Sequence, residues 1–324
     1  MEYTTLGSTG MSVSKICLGC MSFGTGEPWM LDGDEAEELI ERAIELGVNF
    51  FDTANVYSNG ESERILGDVL GEYDRDEQVV ATKVRFSYGD AHVNADGLSR
   101  KTIEQELEHS LNRLGMDTID LYQTHRVDPE TPIETTLRAL DDVISRGKVR
   151  HVGTSSMWAH QLAERLHTAE RLDLPRFETM QNHYHPAYRE DERDLLPICD
   201  RENMGVIPWG PLGQGFLARP FEDLEATERG DPDNYHNPTA SYAEGGGEEI
   251  NERVQELAAE KGVTMAQIAL AWQFETEYVT APIVGTTSIE HLEQAVQALE
   301  IDLTDSEMDS LEEPYEPRPV MALG

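Results

Sequence analysis

Apolar residues along the chain gather into eight short runs, each ending in polar residues and followed by a stretch with helical periodicity. The runs are Lys15 to Gly19, Val48 to Phe51, Gln78 to Thr82, Thr118 to Tyr122, Val149 to Gly153, Phe177 to Met180, Gly205 to Pro208 and Val279 to Val284. Ahead of them, Glu2 to Ile16 reads as two extended pieces around the turn Gly7-Ser8-Thr9-Gly10, a hairpin pattern. The helical stretches carry start and stop signals. Asp34 to Leu46 sets Ala36, Leu39, Ile40 and Ala43 on one stripe and stops at Gly47, which can take the left-handed cap conformation. Ser99 to Leu114 aligns Ile103, Leu107, Leu111 and Leu114 before Gly115. Thr131-Pro132-Ile133-Glu134 reads as a capping box with proline at the first helical position, and Thr264-Met265-Ala266-Gln267 as a second box. Eight buried strands alternating with helices predict the α/β class and a (β/α)8 TIM barrel, one domain over 1–324.

Two segments depart from this rhythm. Gly210 to Gly247 is rich in glycine, proline and acids, and predicts a long loop after strand 7, of the kind that forms lids. Beyond Thr304 the chain predicts a short acidic helix and a proline-containing tail across the barrel.

Charge narrows the possible partners. With 63 Asp and Glu against 25 Lys and Arg the net charge is −38, which repels nucleic-acid backbones and anionic lipid surfaces. Only Lys15, Lys83, Lys101, Lys148 and Lys261 are lysines, and this acid-rich, lysine-poor composition predicts a halophilic protein, soluble where salt screens self-repulsion. Apolar runs are too short to span a membrane and the start lacks a secretion pattern, so a cytoplasmic location is expected. Cys17, Cys20 and Cys199 are too few for a disulfide framework, and the Cys17–Cys20 pair reads as buried thiols rather than a metal or redox site.

In a barrel of this kind the chemistry collects where strands end. There stand Asp52-Thr53-Ala54-Asn55-Val56-Tyr57, Lys83, His125-Arg126, Ser155-Ser156, Gln181-Asn182 and Trp209. Lys83 lies among Val79, Val80 and Val84, where an ammonium needs a partner, and Asp52 on the neighbouring strand can supply one.

Several of these segments, in this order, resemble the aldo-keto reductase family, in particular its branch of bacterial reductases and fungal aryl-alcohol dehydrogenases. They are Leu6 to Gly10, Asn49 to Tyr57, Ala81 to Val84, Leu121 to Arg126, Gly153 to Ser156, Met180 to Tyr184, Val206 to Leu212 and Pro282 to Thr286. The resemblance implies an NAD(P)H-dependent oxidoreductase that reduces aldehydes or ketones, with Asp52, Tyr57, Lys83 and His125 as catalytic residues. In that reading Tyr57 donates the proton, the Lys83 ammonium lowers the phenol's pKa, Asp52 holds Lys83, and His125 hydrogen-bonds the carbonyl oxygen.

The resemblance also places Ser155, Ser156 and Gln181 on the nicotinamide carboxamide, Trp209 on its ring, and Gly210, Leu212 and Gly215 beside the pyrophosphate. No G-x-G-x-x-G motif follows a strand. Gly285, Thr286, Thr287 and His291 face the adenosine end, where hydroxyls and a helix N-terminus stand without a lysine or arginine. The resemblance favours NADP(H) over NAD(H). Two other readings stay open here: a cofactor-holding accessory protein like the subunits of ion channels, and a metal-dependent barrel hydrolase suggested by His183-Tyr184-His185.

Overall fold

The structure, a computed structural model, describes residues 1–89, 93–226 and 237–320. Its first two strands, β1 (Tyr3–Thr5) and β2 (Ser12–Ser14), pair antiparallel as the predicted hairpin. Eight more strands follow: β3 (Cys17–Gly19), β4 (Phe50–Asp52), β5 (Val79–Val84), β6 (Ile119–Thr124), β7 (Val149–Ser155), β8 (Thr179–Gln181), β9 (Gly205–Val206) and β10 (Ile283–Gly285). They form one sheet in the order β10-β3-β4-β5-β6-β7-β8-β9, and every pairing in it is parallel. Parallel bridges from Val206 to Val279 and from Trp209 to Ile283 join the two edges and close the ring. The fold is the (β/α)8 barrel.

Two layers of apolar side chains fix this arrangement. Inside the barrel, Phe50, Val79, Ala81, Leu121, Ile207 and Ile283 pack together with Leu6 and Val13, so the hairpin plugs the end opposite the strand C-termini. Outside, the helical stripes cover the sheet; Ala36, Leu39, Ile40, Ala43, Ile103, Leu107 and Leu111 are all buried. Among the described residues no helix is long and apolar enough to cross a membrane.

Several boundaries differ from the sequence reading. The helix Gly33–Glu45 starts earlier than Asp34, because Asp32 caps it in a reciprocal box with Glu35. The box predicted at Thr131 does not form. The Thr131 hydroxyl donates to Asp128 at 2.6 Å, Pro132 itself is the N-cap, and the helix spans Ile133–Ser145. Strands also run further into polar sequence than the apolar runs do: β5 includes Lys83 and β7 includes Ser155. The box at Thr264 is formed as read, and Ser99, read as the first helical residue, is instead the N-cap of Arg100–Leu114, its side chain accepting from the amide of Thr102.

After β9 the chain makes 3-10 turns at Gly213–Gly215 and Phe221–Ala226 and buries Phe216, Leu217 and Leu224. It then resumes at the short helix Pro238–Tyr242, and residues 227–236 of the predicted long loop lie outside the described residues. The tail crosses this region: the amide of Glu316 donates to the Gly245 carbonyl at 3.0 Å, and the amide of Arg318 donates to Glu190 at 2.6 Å. Gly246, at φ +80°, has no room for a side chain, since a Cβ there would stand 1.8 Å from the Pro314 carbonyl oxygen.

Candidate active site

Asp52 ends β4 opposite Ala81, and Lys83 lies two residues further along β5, so adjacent parallel strands bring the two side chains within reach of each other at the barrel mouth. The Lys83 side chain has no exposed surface and that of Asp52 has 3%. An ammonium carries three N–H donors, and here each has an acceptor: Asp52 Oδ1 at 2.5 Å, the Thr53 carbonyl at 2.8 Å and the Tyr57 hydroxyl oxygen at 3.1 Å. Because the phenol oxygen accepts from Lys83, its own hydrogen is left to point elsewhere.

Two glutamines complete this arrangement: Gln181, named from the sequence for a different role, and Gln123, which the sequence reading did not single out. Gln123 on β6 and Gln181 on β8 each donate from Nε2 to Asp52 Oδ2 at 2.9 Å. Gly153, the β7 residue beside Gln123, makes room for it, since a Cβ there would stand 3.1 Å from Gln123 Cγ and 2.2 Å from the Thr179 hydroxyl. The sequence signal was present: a glutamine in a fully buried strand, among Leu121, Tyr122 and Thr124, needs a polar partner.

His125 follows β6 and meets the Tyr57 ring edge to face with centroids 5.8 Å apart. Its Nδ1 is buried without a hydrogen-bond partner among the described residues. Burial first, then the charges of Lys83 and Arg126, hold its pKa well below the usual imidazole value, so the ring is neutral. The Tyr57 phenol is raised above its ordinary value by burial, which outweighs the downward pull of Lys83 and Arg126. The net direction is therefore opposite to the one read from the sequence, because the phenol is desolvated as well as paired. Burial lowers Lys83, but Asp52 and Tyr57 outweigh it and the ammonium is raised.

A second group lies on the neighbouring strand ends. The Ser155 hydroxyl donates to the Gln181 carbonyl at 2.8 Å and accepts from Arg126 at 3.1 Å. Trp209 donates its indole N–H to Ser156 Oγ at 3.1 Å and stacks one face on His183 with centroids 4.0 Å apart. Ser155 and Gln181 are thus already engaged inside the barrel rim, while Trp209 remains partly exposed. His183 is further held by the Tyr242 hydroxyl at 2.9 Å, and burial pulls its pKa down to about 4.

The glycine-rich turn after β9 fits the close approach of a ligand. Gly210, Gly213 and Gly215 have φ of +64°, +55° and +100°, and a Cβ on Gly215 would meet nothing within 4 Å. Leu212 is half-buried against the core. Across the mouth, Gly285 ends β10 and a Cβ there would meet only the Gly19 carbonyl oxygen at 4.0 Å. Thr286 accepts the amide of Ser288 at 3.1 Å, and Ser288 caps the nine-residue helix Ile289–Gln297 by accepting from the amide of His291. Gly285, Thr287 and His291 are exposed. Open backbone at two glycine turns and a capped helix start suit a dinucleotide, with hydroxyls and amides rather than cations at one end. Cys17 and Cys20 are buried, free thiols whose pKa values burial raises.

Comparison with known proteins agrees with this architecture. The sequence profile of the Aldo/keto reductase family matches residues 15–316. Aldo-keto reductase AMT2 of Alternaria alternata is 38% identical, covering 98% of this chain and 92% of that protein. Versiconal hemiacetal acetate reductase of Aspergillus parasiticus is 38% identical, covering 99% of this chain and 98% of that protein. Further fungal relatives, in Schizosaccharomyces pombe and Saccharomyces cerevisiae, carry aryl-alcohol dehydrogenase names.

Proposed function

The chain belongs to the aldo/keto reductase family, an oxidoreductase of carbonyl and CH–OH groups, and on that premise we propose that it reduces aldehydes or ketones with Tyr57 as proton donor and NADP(H) in preference to NAD(H). The observation that carries this reading is the buried Lys83 ammonium, whose third N–H is spent on the Tyr57 oxygen. That bond leaves the phenol hydrogen free for a substrate oxygen and stabilises the phenolate that remains after transfer. Asp52, itself fixed by Gln123 and Gln181, keeps Lys83 charged and aimed. His125, neutral, donates a hydrogen bond to the same oxygen as charge builds on it, in the manner of an oxyanion hole. When bound, a nicotinamide dinucleotide supplies the hydride. Ser156 and Trp209 would hold its nicotinamide end beside Ser155 and Gln181, Gly210, Leu212 and Gly215 its pyrophosphate, and Gly285, Thr286, Thr287 and His291 its adenosine end. The Ser288-capped helix start supports a phosphate there.

Purified protein in molar salt is expected to consume NADPH when given 4-nitrobenzaldehyde, and to do so faster than it consumes NADH. Tyr57→Phe is expected to lower kcat by about 10²–10⁴-fold, the usual contribution of a general acid, while the dissociation constant for NADPH stays within a few-fold. Absence of turnover across a broad aldehyde panel, or a Tyr57→Phe variant with most of its rate, would refute the reading.

A further inference from the structure

We propose that Arg126 is a specificity-determining residue that binds an anionic group, a carboxylate above all, on the carbonyl substrate; this rests on the reading of the site given above. The chain carries 63 acidic residues, yet no carboxylate oxygen among the described residues comes within 4.0 Å of the Arg126 guanidinium. Its hydrogen bonds run from Nη1 alone, to the neutral His125 carbonyl at 2.7 Å and to Ser155 Oγ at 3.1 Å. Among the described residues the other guanidinium nitrogens find no acceptor, although the side chain is partly buried. Arg113, with 9% of its side chain exposed, is matched by the fully buried Glu63 at 2.6 Å, whereas Arg165, buried on a helix away from the strand ends, is held by the Gln161 carbonyl at 2.9 Å. A desolvated fork of donors without a counter-ion is costly unless something else supplies the charge, and a carboxylate matches it bidentately.

Position makes that something a substrate. Arg126 follows His125 directly at the end of β6 and bonds to Ser155 at the end of β7, so it stands on the rim between the proposed proton donor and the Ser156–Trp209 pair. It lies within electrostatic reach of the Tyr57 hydroxyl, of His125 and of His183. Burial pulls its own pKa down, and Tyr57 is the one group that pulls it back. With a net charge of −38 the molecule as a whole repels anions, so a cation at the mouth with no acid beside it among the described residues gives an anionic carbonyl compound a local foothold. Molar salt screens the long-range repulsion and weakens a partly buried contact far less.

The test compares kcat/KM for the carboxybenzaldehyde isomers with that for their methyl esters, at fixed molar salt, in the natural protein, Arg126→Met and Arg126→Lys. A charge-assisted hydrogen bond contributes about 1.5–3 kcal/mol, so the acid-to-ester ratio for the best isomer is expected to fall about ten- to a hundredfold in Arg126→Met, with partial recovery in Arg126→Lys. Calorimetric binding of benzoate, with benzamide as the neutral control, should follow the same order. An unchanged ratio together with unchanged benzoate binding overturns the proposal, as does a loss confined to NADPH affinity, which would assign the guanidinium to a cofactor phosphate. If neither acid nor ester is turned over, the reductase reading fails, and benzoate binding still decides the role of Arg126.

Discussion

Replacing Asp52 by Asn removes the one charge that faces Lys83 while keeping the side chain's size. An Asn oxygen can still accept one Lys83 N–H, but the amide nitrogen then points at the Nε2 groups of Gln123 and Gln181, both 2.9 Å from the present carboxylate. Breaking a buried pair by deleting one partner costs about 3–5 kcal/mol, and the full range applies because the Lys83 side chain has 0% exposure. Lys83 escapes part of that cost by losing its proton. Release is limited to about 1.4 kcal/mol for each pH step below the free-lysine value of about 10.4, or about 4–5 kcal/mol at pH 7. With an unfolding entropy of about 2.1 cal/mol/K per residue and 324 residues, the variant should melt about 4–7 °C lower at pH 7. The sign of the pH dependence is the sharper readout. In the natural protein Lys83 is raised above its unfolded value, so its stabilisation is present at neutral pH and is lost only as pH climbs past the free-lysine value. In Asp52→Asn it is depressed, so the variant gains stability from pH 7 toward pH 10 and the deficit closes. Melting followed by fluorescence at fixed salt, across pH 6 to 10, measures both. Parallel curves less than about 1 °C apart would refute the idea that Asp52 is what keeps Lys83 charged.

The pH profile of reduction tests the neighbouring groups. With Tyr57 raised above its ordinary value and His125 neutral, kcat for reduction should be flat from about pH 6 to 9 and fall only above the free-tyrosine range; an inflection near pH 6.5 would mean that His125 titrates. Asp191, raised by burial to about 7 from 3.8 despite its bond from Asn182, binds its proton more tightly folded than unfolded. Stability therefore falls as pH rises between those values, by about 4 kcal/mol in full, and Asp191→Asn should raise the melting temperature at pH 8 with a gain that vanishes toward pH 4. Gly153→Ala should lower stability, since its methyl group drives into the Thr179 hydroxyl and crowds Gln123 Cγ at 3.1 Å, and Gln123→Leu should lower kcat by loosening Asp52; differential scanning calorimetry and steady-state rates on each variant separate the two, and an unchanged kcat in Gln123→Leu would exclude the positioning role of Gln123.

How much of this was legible depended on the range of the interaction that fixes each feature. Strand and helix alternation, the Thr264 box and the helix stop at Gly115 are local, and they stand in the structure where the pattern set them. Thr131 was misread because its hydroxyl had a competitor three residues back, Asp128, which the box motif ignores. Asp32 was overlooked because the periodic stripe begins only at Ala36, inside the helix it caps. The polar layer at the barrel mouth is non-local throughout. Asp52 meets Lys83, Gln123 and Gln181 at sequence separations of 31, 71 and 129; the Lys83 pair was legible because an ammonium in an apolar strand demands a counter-ion on its neighbour, whereas nothing near Asp52 announces the two glutamines. The strands could extend through Lys83 only because those partners exist: an ammonium in a buried strand is tolerable when a carboxylate on the next strand neutralises it and two amides hold that carboxylate. The pairing that allows β5 to run to Val84 is thus the same pairing that aims Lys83 at Tyr57. Extension of the sheet and assembly of the proposed proton donor are one event, so a substitution that loosens the layer should shorten the strand ends and slow the chemistry together.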